Sequence, residues 1–357
     1  MKAKKHNFEK KTLVSPANGL EISVLICRPS GKDIVSDGSC AEHEGTDRGK
    51  VHCPTGIVQL VHGMCEHKER YVPFMEFLAD NGYASIIHDH RGHGESVRSI
   101  DDLGYFYEGG YMAMIEDVKA VTLLAREEFS GNGNGANKES GENMAGGKPE
   151  RKDAGKLPLI LFGHSMGSMA VRSFTKRYDC LIDGLVVCGS PSYNPGLSVG
   201  KALAKGYRAI MGERHRPSLI QSIAFGTFNR RFRNEKSSNA WICSDPEIVS
   251  AYDADPHCNF QFTTDGFINL FSLMQDAYDI KDWHKTSPDL PVLFISGEDD
   301  PCRINDRRFR LAVEKMKEAG YRNVQAKTYP GMRHEILNET GKEEVWNDIL
   351  AFCKRID

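Results

Sequence analysis

The chain has 357 residues, 40% of them hydrophobic and 27% charged, which excludes a wholly disordered or fibrous protein and leaves room for a large core. Its 46 basic and 49 acidic side chains give a formal net charge of -3, so the basic excess usual for a nucleic-acid partner is missing. Ten cysteines are spread along the chain without a C-x-x-C pair, so they read as free thiols and not as a disulfide framework or a zinc or redox site.

The chain starts with a basic stretch, but residues 8–11 are Phe-Glu-Lys-Lys and not the apolar run of a secretory signal. No stretch reaches the roughly 18 apolar residues of a membrane span. The expectation is a soluble, cytoplasmic protein. Residues 20–28 alternate and predict an edge strand, whereas 56–62, 83–89, 157–163, 184–189, 292–297 and 323–329 read as buried strands rich in Val, Ile and Leu. Helical periodicity falls between them, at 72–81, 110–129, 166–178, 306–319 and 343–354. Strand followed by helix, repeated along the chain, predicts an α/β fold with a mostly parallel sheet covered by helices on both faces.

Three segments interrupt that rhythm. Residues 31–54 and 130–156 are polar and glycine-containing and read as solvated surface insertions. Residues 192–281 are rich in aromatic and apolar side chains and predict a mostly helical subdomain over the sheet. The core is thereby divided into 1–191 and 282–357. Within the subdomain, Leu197, Val199, Leu203, Tyr207 and Ile210 recur at helix-like spacing and predict a face packed on the main domain, with exposure to lipid as the alternative.

Chemistry concentrates at strand ends. Gly163-His164-Ser165-Met166-Gly167 matches G-x-S-x-G, directly after a buried-strand pattern and before a helical one. That context sets it apart from a serine in an ordinary glycine-rich turn. A serine hydroxyl needs a base to become nucleophilic, and the base needs a third group to orient it and stabilise its cation. The order expected after such a serine is an acid and then a histidine, each following a later strand. Glu298, Asp299 and Asp300 follow one strand pattern; Asp300, furthest past the strand end and followed by Pro301, is the preferred acid, with Asp299 next. His334 follows the last strand pattern and is the only histidine after His284, so it is the candidate base. Oxyanion-hole donors are expected from the Met166 N–H and from the Met64 N–H, or failing that Cys65, in the loop after Val61. Glu66 and Arg70 either brace that loop or form an inconsequential surface pair. His88, His90 and His93 with Asp89 could be read as metal ligands, but without a second ligand set a structured turn is the preferred reading.

These blocks together resemble the monoacylglycerol lipase and lysophospholipase branch of the α/β-hydrolases, the group labelled serine aminopeptidase S33. The resemblance rests on Val61-His62-Gly63-Met64 with Glu66-His67 and Arg70-Tyr71, on residues 89–96, on 163–167, on 297–301 and on 331–334. It implies an α/β-hydrolase fold with Ser165 as nucleophile, Asp300 as acid, His334 as base and Met64 and Met166 as oxyanion donors. It also implies a helical cap, inserted before the acid-bearing strand, that shapes an acyl-chain pocket. The two polar insertions, and Cys65 where a small residue is commoner, depart from the pattern. The implied function is hydrolysis of a lipid-like ester, of monoacylglycerol or lysophospholipid type, through an acyl-enzyme on Ser165, with no metal or organic cofactor. The implied partner is the substrate itself, with transient membrane-surface contact through the cap; oligomeric state stays open. An aminopeptidase or amidase with the same triad is the alternative, and a noncatalytic binding protein the remote one. The cap aromatics Phe225, Phe228, Phe260, Phe262, Phe267 and Phe271 favour acyl chains.

Overall fold

A computed structural model describes residues 6–29, 53–130 and 156–356. Eight strands form one sheet: β1 (Asn7–Val14), β2 (Glu21–Arg28), β3 (Gly56–Val61), β4 (Tyr83–His88), β5 (Leu159–His164), β6 (Gly184–Cys188), β7 (Val292–Gly297) and β8 (Val324–Tyr329), in the order β1-β2-β4-β3-β5-β6-β7-β8. β2 pairs antiparallel with β1 and β4, and every pairing from β4 to β8 is parallel. Every residue of β3 to β7 is buried, because helices cover both faces and leave no side for polar alternation. One core packs α1 (Val72–Asp80) and α9 (Lys342–Cys353) on one face; the other packs α2 (Gly110–Phe129), α3 (Met166–Tyr178) and α8 (Asp306–Glu318) on the opposite face.

Two strand expectations need correction. β2 is not the edge, because β1 pairs along its whole length. Glu9, Lys10 and Lys11 hide β1 in the sequence, and charges of this kind are what keeps an exposed edge from pairing with other chains. β8 is the opposite edge and not a buried strand, since Gln325, Ala326 and Lys327 are exposed. The two polar insertions lie outside the described residues except at their margins. No helix among the described residues is long and apolar enough to cross a membrane.

Between β6 and β7 the chain leaves the sheet and forms α4 (Leu197–Met211), α5 (Ser218–Phe225), α6 (Pro246–Ala254) and α7 (Thr264–Tyr278). The inward face of α4 meets the sequence expectation in part: Leu197, Leu203 and Tyr207 pack against the core, the last two half-buried. Leu197 and Ala204 are buried, whereas Val199 is 73% and Ile210 83% exposed. The packed stripe also runs through the half-buried Gly200 and the buried Ala204, small residues that an apolar-spacing count overlooks. A methyl group added at Gly200 would stand 3.2 Å from the Phe271 ring, so the missing side chain is what lets α4 lie close against α7.

Candidate active site

The parallel strands direct their carboxyl ends to one side of the sheet, where ligands of open α/β sheets bind. The segments following β3, β5, β7 and β8 converge there. Ser165 stands between β5 and α3 with φ 52° and ψ -117°, a backbone conformation that a residue with a side chain seldom adopts. Gly167 makes this turn achievable, since a methyl there would run into the Val61 and His62 carbonyls. The half-buried serine hydroxyl thus projects at the bend.

Ser165 Oγ lies 2.8 Å from His334 Nε2, and His334 Nδ1 lies 2.9 Å from Asp300 Oδ2. A proton on Nδ1, facing the carboxylate, leaves the Nε2 lone pair to accept from the serine hydroxyl. Both Asp300 and His334 are buried, which strengthens each contact by excluding water. Asp300 Oδ1 accepts from the Cys302 N–H at 2.8 Å, and this bond orients the carboxylate. The other two carboxylates of the run go elsewhere: Asp299 accepts from Arg231 at 2.7 Å, and Glu298 from the Thr328 hydroxyl at 2.9 Å. The structure therefore brings Ser165, His334 and Asp300 together, 169 and 34 residues apart, and separates Asp299 and Glu298 from them.

Met166 opens α3, so its N–H is among those at the positive end of the helix dipole. The Ser165 N–H donates to Cys188 O at 2.9 Å and is committed. Met64 is half-buried in the loop after β3. That loop presses on the serine, for a methyl at Gly63 would stand 3.0 Å from Ser165 Cβ. Cys65 is turned away, and its thiol donates to Phe260 O at 2.8 Å.

A buried ionic network underlies the loop. Glu66 accepts from the Gly63 N–H, from Tyr71 Oη at 3.0 Å, from Arg70 at 3.0 Å and from His164 Nδ1 at 3.2 Å. Arg70 reaches on to both oxygens of Glu335, at 2.6 and 2.7 Å, and His164 Nε2 faces His334 O at 3.2 Å. Glu66 and Arg70 are thus a buried brace and not a surface pair. Burial opposes ionisation of Glu66, but the hydrogen bond and charge of His164 and the charge of Arg70 outweigh it and hold the carboxyl at about 2. For His164, burial works against the cation, but the Glu66 hydrogen bond and charge prevail and raise its pKa. Sequence reasoning named Glu66 and Arg70 but missed His164, Tyr71 and Glu335, whose partners lie up to 265 residues away.

His88 at the end of β4 and His90 and His93 in the turn after it are buried, and burial lowers all three pKa values, those of His88 and His93 to about 3 and 4. Asp89 fixes this turn by accepting from the Lys68 N–H at 2.8 Å, Lys68 Nζ at 2.7 Å and the Glu95 N–H at 2.9 Å. His93 packs edge-on against Phe260 and Phe262.

An aromatic wall leads away from Ser165 and His334. Trp241 lies 5.1 Å from the His334 ring, Phe228 is 5.0 Å from Trp241, Phe225 is 5.5 Å from Phe228, and Phe267 is 6.4 Å from Phe225. Phe262 and Phe271 extend it, at 6.1 and 5.9 Å from Phe267. Trp241 was not among the expected site residues. A lone tryptophan in a helical insertion has no spacing signal that points to a histidine 93 positions on.

The fold and the placement of these groups define an α/β-hydrolase. The family described as Serine aminopeptidase, S33 matches residues 52–133 and 148–341. The chain belongs to that family, as a monoacylglycerol lipase-like α/β-hydrolase. Monoacylglycerol lipase of Mycolicibacterium smegmatis is 25% identical over 302 residues, 84% of this chain and 88% of the relative. Monoglyceride lipase of Saccharomyces cerevisiae is 24% identical over 316 residues, 84% of this chain and 85% of the relative. Among solved structures, a highly thermostable carboxyl esterase from Bacillus coagulans in complex with glycerol superimposes with a TM-score of 0.78 at 24% identity, covering 98% of each chain. That likeness speaks to the fold.

Proposed function

We propose that this carboxylic ester hydrolase cleaves a lipid-like ester, of monoacylglycerol or lysophospholipid type, through an acyl-enzyme on Ser165. His334 takes the serine proton as Oγ attacks the ester carbonyl, and returns it to the departing alcohol. It then activates a water that releases the fatty acid. Asp300 holds the ring in the tautomer this requires and stabilises its cation. The Met166 and Met64 N–H groups receive the charge that develops on the carbonyl oxygen. Residues 192–281 act as a cap whose aromatic wall takes the acyl chain.

The single observation that carries this reading is the hydrogen-bonded Ser165, His334 and Asp300 opening onto the wall from Trp241 to Phe267. A peptidase that trims free amino termini needs a carboxylate to hold the amine. Glu66 and Glu335, tied to the residues flanking Ser165 and His334, are instead committed to Arg70, Tyr71, Gly63 and His164. Exposed Val199, Ile210, Met211, Leu219 and Ile223 on α4 and α5, with Lys205 and Arg208 beside them, support a cap that touches a lipid surface.

Fluorophosphonate labelling tests the mechanism. Wild type should be modified at Ser165, and Ser165→Ala should lose the label and at least ~10³-fold of turnover. Retained esterase activity in that variant would defeat the mechanism. A panel of monoacylglycerols, lysophospholipids and aminoacyl anilides tests the substrate class; preference for the anilides would favour the peptidase reading.

A further inference from the structure

We propose that His67, Asp255 and Cys258 form a Zn2+ site that ties the excursion between β6 and β7 to the loop after β3. This inference goes beyond the proposed reaction and does not depend on it. One donor atom from each of the three residues lies within 4.8 Å of the other two. His67 Nε2 is 2.8 Å from Asp255 Oδ2, although the residues are 188 apart in sequence. Asp255 and Cys258 stand just past α6 in one tight turn, closed by the Cys258 N–H donating to Asp255 O at 3.0 Å. The Asp255 carboxylate is held in place by the His257 N–H, 2.8 Å from Oδ1.

Tetrahedral Zn2+, with Zn–N near ~2.0 Å and Zn–S near ~2.3 Å, sets neighbouring donors roughly 3.3–3.6 Å apart. The ion would enter by opening the His67–Asp255 pair by about half an ångström. On binding, the Cys258 thiol proton and the proton shared between His67 Nε2 and Asp255 leave to solvent, and thiolate, imidazole and carboxylate take the metal. A water would complete the four ligands, and the His257 ring lies close by, its centroid 5.8 Å from that of His67. One thiolate and one imidazole favour zinc over the oxygen-seeking Mg2+ and Ca2+.

The surroundings match a metal-binding histidine. His67 Nδ1 faces Glu69 Oε2 at 2.8 Å, so a carboxylate fixes the ring with Nε2 towards Asp255 and Cys258. The two segments are already joined beside the site, where the Asn259 N–H donates to Cys65 O at 3.3 Å and the Cys65 thiol to Phe260 O at 2.8 Å. His67 follows Met64 by three positions, so the ion would fix the loop that carries the proposed oxyanion donor.

The test uses the full-length protein, stripped with a chelator and titrated with Zn2+ alone. One equivalent should bind, with Cys258 protected from alkylation in peptide mapping. Co2+ in place of Zn2+ should give a thiolate-to-cobalt charge-transfer band that Cys258→Ser abolishes. Glu69→Gln should weaken Zn2+ binding about 10- to 100-fold, and Ser165→Ala should leave it unchanged. Equal alkylation of Cys258 with and without Zn2+, absence of a saturable equivalent, or unchanged affinity in Cys258→Ser overturns the site. If Cys258→Ser does not fold, the alkylation and cobalt measurements on wild type decide.

Discussion

Replacing Glu66 by Gln removes the charge at the centre of the buried network while keeping the side chain's shape. Glu66 is held at about 2 when folded, against an ordinary 4.5. By linkage that difference is worth roughly 3 kcal/mol of stability at neutral pH. Breaking a buried ion pair by removing one partner costs about 3–5 kcal/mol, the same order. At about 2.1 cal/mol/K of unfolding entropy per residue, the loss lowers Tm by roughly 4 °C. The depressed folded value also fixes a pH signature. The contribution is complete above pH 4.5, the unfolded value, and disappears as pH falls towards 2. By pH 3 the gap between wild type and Glu66→Gln should shrink to roughly half. Urea unfolding of both proteins at pH 7, 5, 4 and 3 gives the two curves. Equal stability at pH 7 would refute the electrostatic account; so would a gap that persists unchanged to pH 3.

Asp300→Asn should lower kcat by about 10⁴-fold because it favours the wrong tautomer of His334. Asp299→Asn should leave the ester hydrolysis rate within about two-fold, since its partner is an exposed arginine. Trp241→Ala and Phe228→Ala should reduce kcat/KM for long-chain esters by roughly 10-fold or more while sparing acetyl esters, given ~1.5–3 kcal/mol for burying a large apolar side chain; equal losses on both would remove the wall from the substrate path. Val199→Asp with Ile210→Asp should abolish cosedimentation with anionic phospholipid vesicles and leave hydrolysis of a soluble ester intact.

The sheet was largely legible because strands covered on both faces must be apolar throughout, and β3 to β7 are. Ser165 was legible for a related reason, since the tight turn between β5 and α3 requires glycine two positions before and two positions after the serine. β1 escaped because an edge strand needs no apolar run; its hydrogen bonds come from β2, and Glu9, Lys10, Thr12 and Val14 face water while only Phe8 and Leu13 pack on the cores. On α4, Leu197, Leu203 and Tyr207 were legible as packed positions, whereas Val199 and Ile210 were misplaced, because Gly200, which allows close approach to Phe271, and the small Ala204 carry little apolar signal. Asp300 could be preferred over Asp299 only from its place furthest past the strand end and before Pro301. The deciding contact belongs to His334, and that depends on how β7 and β8 pair. The pairing of Glu66 with Arg70 was open as one of two readings, but its extension to Glu335 is invisible for the same reason, as Glu335 reads as an ordinary charge until the chain closes around Arg70.

The excursion carrying α4 to α7 departs from β6 and returns at β7, and these strands are hydrogen-bonded neighbours, with Val187 paired to Phe294. Its two ends are therefore fixed by the ladder, whatever length or shape lies between them. Insertions and deletions within the excursion therefore leave the pairing of β6 with β7 in place. Rebuilding it has one constraint, because Trp241 stands 5.1 Å from the His334 ring and Ile242 O accepts from the Glu335 N–H at 2.7 Å, so changes there reach the groups around Ser165 while changes on its outer helices do not.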